Sequence, residues 1–169
     1  MVDSSQVEGI INNPVIKGVS LTGSEKAGAA VASAAAKQIK KAVLELGGSN
    51  ALIICEDADL EKALPITVNA RMQNTGQSCI AAKRFLVHRS LFDEFTAKFK
   101  EKVEALKVGD PMLEETEIGP LARVHLAEDV EKQVSKSVAM GAKILTGGKR
   151  NGAFYDPTVL TDVTTDMPV

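Results

Sequence analysis

Two residues of this 169-residue chain are of types that could do covalent chemistry together, Cys79 and Glu45, which stand 34 positions apart. Cys79 lies in the stretch R-M-Q-N-T-G-Q-S-C-I-A-A-K-R, Arg71 to Arg84. The segment ahead of it reads as a helix closing at Gly76, which takes the left-handed conformation without a Cβ penalty. Gln77 and Ser78 then make a short polar turn, and Ile80-Ala81-Ala82 opens a new apolar run. Cys79 is thereby expected where a turn feeds the next element, its sulfur near unpaired backbone N–H groups, with Lys83 and Arg84 close by. Both surroundings favour thiolate over thiol, and the thiolate is the nucleophile. The same residue type has a plainer use, since a free cysteine is commonly a small buried hydrophobe.

Glu45 sits in L-E-L-G-G-S-N, Leu44 to Asn50. Strands disfavour Glu, and a carboxyl held among apolar neighbours is driven toward its neutral form, a poise suited to a general base. The plainer alternative is a solvated residue on the outer face of an edge strand. A third stretch, V-S-L-T-G-S from Val19 to Ser24, runs from a strand into a helix through Gly23 and Ser24. Free N–H groups at the positive end of a helix suit a phosphate. Ordinary capping by Ser24 accounts for the same residues.

The elements that must position these groups follow from periodicity. Val7, Ile10 and Ile11 give a short helical face that Asn12-Asn13-Pro14 stops. Val15 to Leu21 reads as a strand, followed by a helix to about Lys40 with Ala27, Ala30, Val31, Ala34, Ala35, Gln38 and Ile39 along one face. Ala42 to Leu46 is a short strand, and the Gly47-Gly48 break is the expected domain boundary. Ala51 to Cys55 is a compact apolar strand, which places Cys55 in the core. Acidic residues Glu56 to Asp59 open a helix from about Leu60 to Thr75, with Pro65 tolerated in its first turns. Phe85 to His88 is the next strand. Ser90 to Asp93 resembles a capping box, and Phe92, Phe95, Phe99, Val103 and Leu106 stripe the helix that follows. Beyond a loop over Gly109 to Pro120, a helix spans about Leu121 to Met140. Ala142 to Thr146 and Thr158 to Val163 are the last strands, with a Gly-rich loop between. Strands alternating with helices imply an α/β architecture with a mainly parallel sheet.

Composition narrows the function classes. A net charge of −2, with Lys and Glu interspersed, leaves no basic footprint for nucleic acid. The two cysteines and two histidines form no cluster with metal-ligand spacing, so no metal site is expected. Two free thiols fit a reducing compartment. The Ala-rich run Gly28 to Ala36 is too short to span a bilayer, and the N-terminus shows no basic-then-apolar signal pattern. A cytoplasmic protein without a membrane segment is the expectation.

Taken together, E-L-G-G and G-Q-S-C at this spacing closely resemble the aldehyde dehydrogenase superfamily. V-S-L-T-G-S, K-V-G-D-P (Lys107 to Pro111), I-G-P-L (Ile118 to Leu121), G-A-K-I-L-T-G-G (Gly141 to Gly148) and F-Y-D-P-T-V-L (Phe154 to Leu160) continue the likeness in order. N-T-G-Q-S-C-I-A-A-K-R, G-D-P-M and the F-Y-D-P run look most like its succinate-semialdehyde dehydrogenase group. The resemblance implies that residues 1–46 end a Rossmann-like cofactor domain and that residues 47–169 are most of a catalytic α/β domain. It implies Cys79 as nucleophile, Glu45 as the base that activates water, and Thr22, Gly23, Ser24 and Leu46 against NAD or NADP. An aldehyde would add to Cys79 as a thiohemiacetal, lose hydride, and leave as the carboxylic acid after hydrolysis of a thioester.

The family's oxyanion-hole Asn, its adenine and ribose contacts and its E-x-F-G-P segment have no counterpart here. The chain is therefore expected to be an internal piece of an enzyme about three times as long, a homo-oligomer when complete. Some members place an Arg six positions before the nucleophile, where it pairs with the substrate's distant carboxylate; that position is Gln73 here. Gln offers no charged fork. Two other functions remain open at this point. One is acyl transfer to coenzyme A by the same thioester; the other is a non-catalytic, self-associating domain with exposed sheet edges.

Overall fold

A computed structural model describes residues 2–169 of the chain. The chain divides into two compact units, residues 1–48 and residues 49–169.

The first unit is a β-α-β motif with one short helix added. Its elements are α1 (Val7–Asn12), β1 (Gly18–Thr22), α2 (Glu25–Lys37) and β2 (Lys41–Glu45). β1 and β2 pair in parallel, Gly18 with Lys41 through Thr22 with Glu45. Both strands alternate, so Val19, Leu21, Ala42 and Leu44 turn toward α2 while Ser20, Thr22, Val43 and Glu45 face outward. Ile11, Ala34 and Ala35 form the buried centre, with Val7, Val19, Val31 and Ala42 packed around them.

In this unit the largest differences from the periodic reading are at two boundaries, the start of β1 and the end of α2. β1 starts at Gly18 rather than Val15, because the Asn13 side chain accepts from the Val15 N–H at 2.9 Å and holds a turn there. α2 stops at Lys37, and Ile39 leaves the expected helix face to stand 96% exposed. The helix closes with Ile39 at a φ of 53°, its N–H on the Ala36 carbonyl and the Lys40 N–H on the Ala35 carbonyl, each at 3.0 Å. That is a Schellman closure with Ile where glycine is usual. The Lys40 ammonium meanwhile meets the Ile11 and Asn13 carbonyls at the end of α1. Ala30 is exposed as well.

The second unit opens with another parallel pair. β3 (Asn50–Ile54) and β4 (Ala82–Val87) are joined through α3 (Leu60–Met72), and α4 (Phe92–Glu104) follows. Ile54, Leu60, Leu64, Val68, Phe95, Phe99 and Val103 make one core, with Phe85 closing it. Phe95 and Phe99 stack with ring centroids 5.4 Å apart, and Phe85 lies 5.1 Å from Phe99. The aromatic stripe of α4 is thus packing, although Phe92 at its start is exposed. Asp59 caps α3 by accepting the Lys62 N–H. α4 is not entered by a Ser90 box: the His88 ring accepts the Ser90 N–H over a 3-10 turn at Arg89–Leu91. Cys55 is exposed, not core. β3 ends at Ile54, which takes the buried place, and a turn closed by Ala58 N–H to the Cys55 carbonyl swings the thiol out.

A loop from Ala105 to Arg123 folds back on itself. Gly109 N–H donates to the Ile118 carbonyl and Ile118 N–H to the Lys107 carbonyl, which buries Ile118. Then come α5 (Val124–Ala139), β5 (Lys143–Thr146), the small hairpin β6 (Arg150–Asn151) and β7 (Phe154–Tyr155), and β8 (Val159–Thr161) antiparallel to β5. The described strands pair in twos, two pairs parallel and two antiparallel. The architecture is α/β.

Tyr155 gives this unit a pH dependence. Burial first, and next the Glu131 carboxylate, push its phenol pKa up. The folded chain keeps the phenol neutral, whereas an unfolded chain ionises it near its ordinary value of about 10. The stabilisation is complete below that value and is lost as pH rises through the raised folded pKa. Thermal midpoints taken from about pH 8 to about pH 11 should fall more steeply for the unaltered chain than for Tyr155→Phe. Parallel curves would remove Tyr155 from the alkaline response.

Candidate active site

In the first unit the register sets Thr22 beside Glu45 at the carboxyl ends of β1 and β2. The Gly23 N–H donates to the Glu45 carbonyl at 2.9 Å, tying the two strand ends together. Strand alternation turns Leu44 inward, half-buried, and sends the Glu45 side chain outward, which explains a carboxylate between two leucines. The apolar setting expected for Glu45 is therefore corrected: its side chain is exposed. Ser24 caps α2, its Oγ accepting from the Ala27 N–H at 3.3 Å. Leu46 lies over the first turns of α2, where a Cβ on Gly28 would fall 2.7 Å from Leu46 Cδ2. Gly28 is thus what lets Leu46 approach. The fold brings Thr22, Gly23, Ser24, Glu45 and Leu46 to one end of a β-α-β unit. That end, outside the carboxyl ends of parallel strands and at a helix N-terminus, is where such sheets take ligands.

Cys79 belongs to the second unit, and the route to it is unusual. α3 does not run on to Thr75. It ends at Met72, and a 3-10 turn over Gln73–Gly76 follows. Asn74, Thr75 and Gly76 have φ values of 53°, 57° and 73°, three left-handed residues in succession. Asn and Gly accept this conformation; a β-branched Thr there is an outlier that its surroundings must hold. The Arg71 guanidinium donates from Nη1 to the Gly76 carbonyl at 3.2 Å and packs against the glycine. Burial lowers its pKa.

A second turn, closed by Ala81 N–H to the Ser78 carbonyl at 3.2 Å, carries Cys79 and Ile80 at its corner, both exposed. Neither the Cys79 nor the Ile80 amide donates a backbone hydrogen bond among the described residues. The expected setting of exposed thiol and open N–H groups is present. The two cations are differently employed: Lys83 Nζ donates to the Ser78 carbonyl at 3.2 Å, and Arg84 donates through Nε and Nη2 to the Ser49 carbonyl at 3.0 and 2.8 Å. Gln73 is exposed. The sequence reading missed Thr75 and Gln77, which tie this turn to the loop after α4. The signal was there in Asn-Thr-Gly, where two of the three residues favour left-handed backbone.

The chain is an α/β protein built on parallel β-α-β units, with Glu45 at a strand end of one unit and Cys79 at a turn of the other. The chain belongs to the aldehyde dehydrogenase family, whose family model matches residues 2–169. Among its relatives is succinate-semialdehyde dehydrogenase [NADP(+)] of Mycobacterium avium (strain 104), 51% identical over 99% of this chain and 36% of that protein. The crystal structure of succinate-semialdehyde dehydrogenase from Burkholderia pseudomallei matches with a TM-score of 0.93 at 36% identity, over 99% of this chain and 36% of that one. Aldehyde dehydrogenase 21 from Physcomitrella patens, in complex with the reaction product succinate, matches with a TM-score of 0.91 at 36% identity, over 98% and 34% of the two chains. The chain spans about a third of the length of the curated relatives it matches.

The turn makes a direct demand on Gly76. A Cβ there would sit 2.6 Å from Arg71 Nη1 at a φ of +73°, while one on Gly152, at a φ of +59°, meets nothing within 4 Å. Gly152→Ala should lose about 1–2 kcal/mol, the left-handed penalty alone. Gly76→Ala should lose more in urea unfolding. Equal losses would show that the Arg71 guanidinium moves aside freely.

Proposed function

We propose that this chain is the nucleophile-bearing part of an enzyme that oxidises an aldehyde, by preference succinate semialdehyde, to the carboxylic acid with NAD or NADP. The observation that carries the reading is Cys79, exposed at the corner of a turn with its own amide unengaged, in a chain of this family. In this reading residues 1–46 close the cofactor domain and residues 47–169 are most of the catalytic domain. The name of the Mycobacterium avium relative favours NADP, and the succinate in the Physcomitrella structure favours a four-carbon acid substrate.

The first unit suits a dinucleotide. The start of the 13-residue α2 offers backbone N–H groups and the positive end of the helix, and exposed Thr22, Gly23 and Ser24 leave it open. The backbone of Leu46, whose side chain packs over Gly28 at that helix start, is a surface for the nicotinamide to rest on. When bound, the cofactor's chemistry is acceptance of a hydride.

The chain's own residues do the rest. The Cys79 sulfur bonds to the aldehyde carbon, and the carbonyl oxygen takes up negative charge that the Cys79 N–H can meet. After hydride loss the acyl group stays on Cys79 as a thioester. Glu45 takes a proton from water, the hydroxide adds to the acyl carbon, and the Cys79 thiolate leaves. The substrate's far carboxylate is met by neither Gln73, which has no charge, nor Arg71, whose guanidinium is turned to the Gly76 carbonyl.

The complete enzyme is read as a cytoplasmic homo-oligomer. Exposed Ile53 and Leu86 on the outer face of β3 and β4 support assembly, and two free cysteines support a reducing compartment. Among the described residues no helix is long and apolar enough to cross a membrane.

In the complete enzyme, Cys79→Ala should abolish oxidation of succinate semialdehyde, followed as reduced cofactor; retained turnover would take Cys79 out of the mechanism. Glu45→Gln should give a first-turnover burst of reduced cofactor and then a steady rate lowered about 100-fold or more. An unchanged steady rate would assign the base elsewhere, and product made only when coenzyme A is added would replace hydrolysis by acyl transfer.

A further inference from the structure

Between α3 and Cys79 the backbone is strained and cross-tied in a way that the chemistry proposed above does not use. Asn74 and Thr75, at φ values of 53° and 57°, precede Gly76 at 73°. Non-glycine residues in such conformations persist only where their surroundings over-determine them, and they gather at functional sites. Part of the restraint is local. The Gln77 N–H donates to the Asn74 carbonyl at 3.0 Å, and the Asn74 side-chain amide donates back to the Gln77 carbonyl at 3.2 Å.

The rest comes from residues more than forty positions downstream. The Gln77 side-chain oxygen accepts the Ala122 N–H at 2.9 Å, while its amide nitrogen reaches the Asn74 carbonyl at 3.4 Å. The Thr75 hydroxyl donates to the Gly119 carbonyl at 3.4 Å. Gly119 and Ala122 lie in the loop between α4 and α5, whose far side is anchored by the Leu121 N–H on the Ala153 carbonyl and by buried Ile118. Gln77 therefore bridges the strained turn and an independently fastened loop with both ends of its amide.

We propose that Gln77 and Thr75 are positioning residues for Cys79, and that the Gly119–Ala122 stretch is the brace that holds the left-handed turn, and through it the thiol, in its reactive placement. This rests on the reading of Cys79 as nucleophile. Without the brace the strain is relieved by returning Asn74 and Thr75 to right-handed backbone. That re-aims the next five residues and moves the turn that carries Cys79 from its place beside the Gly119–Ala122 stretch.

The test uses the two free cysteines of the same molecule. Iodoacetamide alkylates Cys79 and Cys55, and peptide mass spectrometry reads each rate at one pH in the unaltered chain, Gln77→Leu, Thr75→Val and Thr75→Ser. Cys55, at the end of β3, serves as the internal reference. In Gln77→Leu and Thr75→Val the Cys79 rate should fall about fivefold, the worth of one backbone-directed hydrogen bond. Cys55 should be unmoved, and Thr75→Ser, which keeps the hydroxyl, should behave as the unaltered chain. Should Gln77→Leu fail to fold, the Thr75 pair decides. Cys79 rates unchanged in the variants would overturn the proposal. So would Cys55 changing in step with Cys79, or Thr75→Ser as slow as Thr75→Val. Failure of the nucleophile reading is a separate result: turnover retained by Cys79→Ala in the complete enzyme, whatever the alkylation rates show.

Discussion

A left-handed conformation costs a non-glycine residue about 1–2 kcal/mol, and the segment leading to Cys79 holds two such residues side by side, Asn74 and Thr75. Everything local to the thiol depends on that arrangement. Had α3 continued at 3.6 residues per turn through Thr75, Cys79 would issue from the helix axis in another direction. Instead the chain reverses hand for three residues and delivers the thiol to the corner of a second, open turn. The Arg71 guanidinium on the Gly76 carbonyl, the Asn74–Gln77 exchange of hydrogen bonds and the loop carrying Gly119 and Ala122 together oppose the relaxation.

The rigid parts behind this turn are ordinary, and that is why they can hold it. α3 and α4 lie on one face of β3 and β4, with Leu64 and Val103 fully buried and the Phe85, Phe95 and Phe99 rings in contact. A packed core of this kind resists deformation, so strain at its edge is not dissipated into the helices. The first unit shows the same division of labour on a smaller scale. Its centre is Ile11 and two alanines, and its strand ends are fixed by register and by the Gly23 N–H on the Glu45 carbonyl.

Sequence patterns were most legible where one physical cause acts alone. The 3.6-residue stripe of Phe95, Phe99 and Val103, the helix caps Ser24 and Asp59, and the left-handed Gly76 all stand where the residue types indicate. At element ends two causes compete, and pattern alone misplaces residues there. Periodicity puts Ile39 on a buried face, yet the helix closes two residues earlier and Ile39 takes the left-handed place. The apolar run puts Cys55 in the core, yet Ile54 already fills that position and the following turn faces water. The Ser90 to Asp93 pattern points to a capping box, while the His88 ring does that work.

Motif chemistry is carried by residue type and short spacing, so the chain alone points to its family through E-L-G-G and G-Q-S-C, and to Cys79 and Glu45 as the residues to examine. Short-range forces also write the β-α-β order into it, because alternation and helical period are local. Which way Glu45 faces is a matter of register between two strands, and whether a Thr can sit left-handed depends on a carbonyl 44 residues away. Such facts arise from contacts between distant segments, and no window of sequence contains both partners; only the folded chain brings them within hydrogen-bond reach.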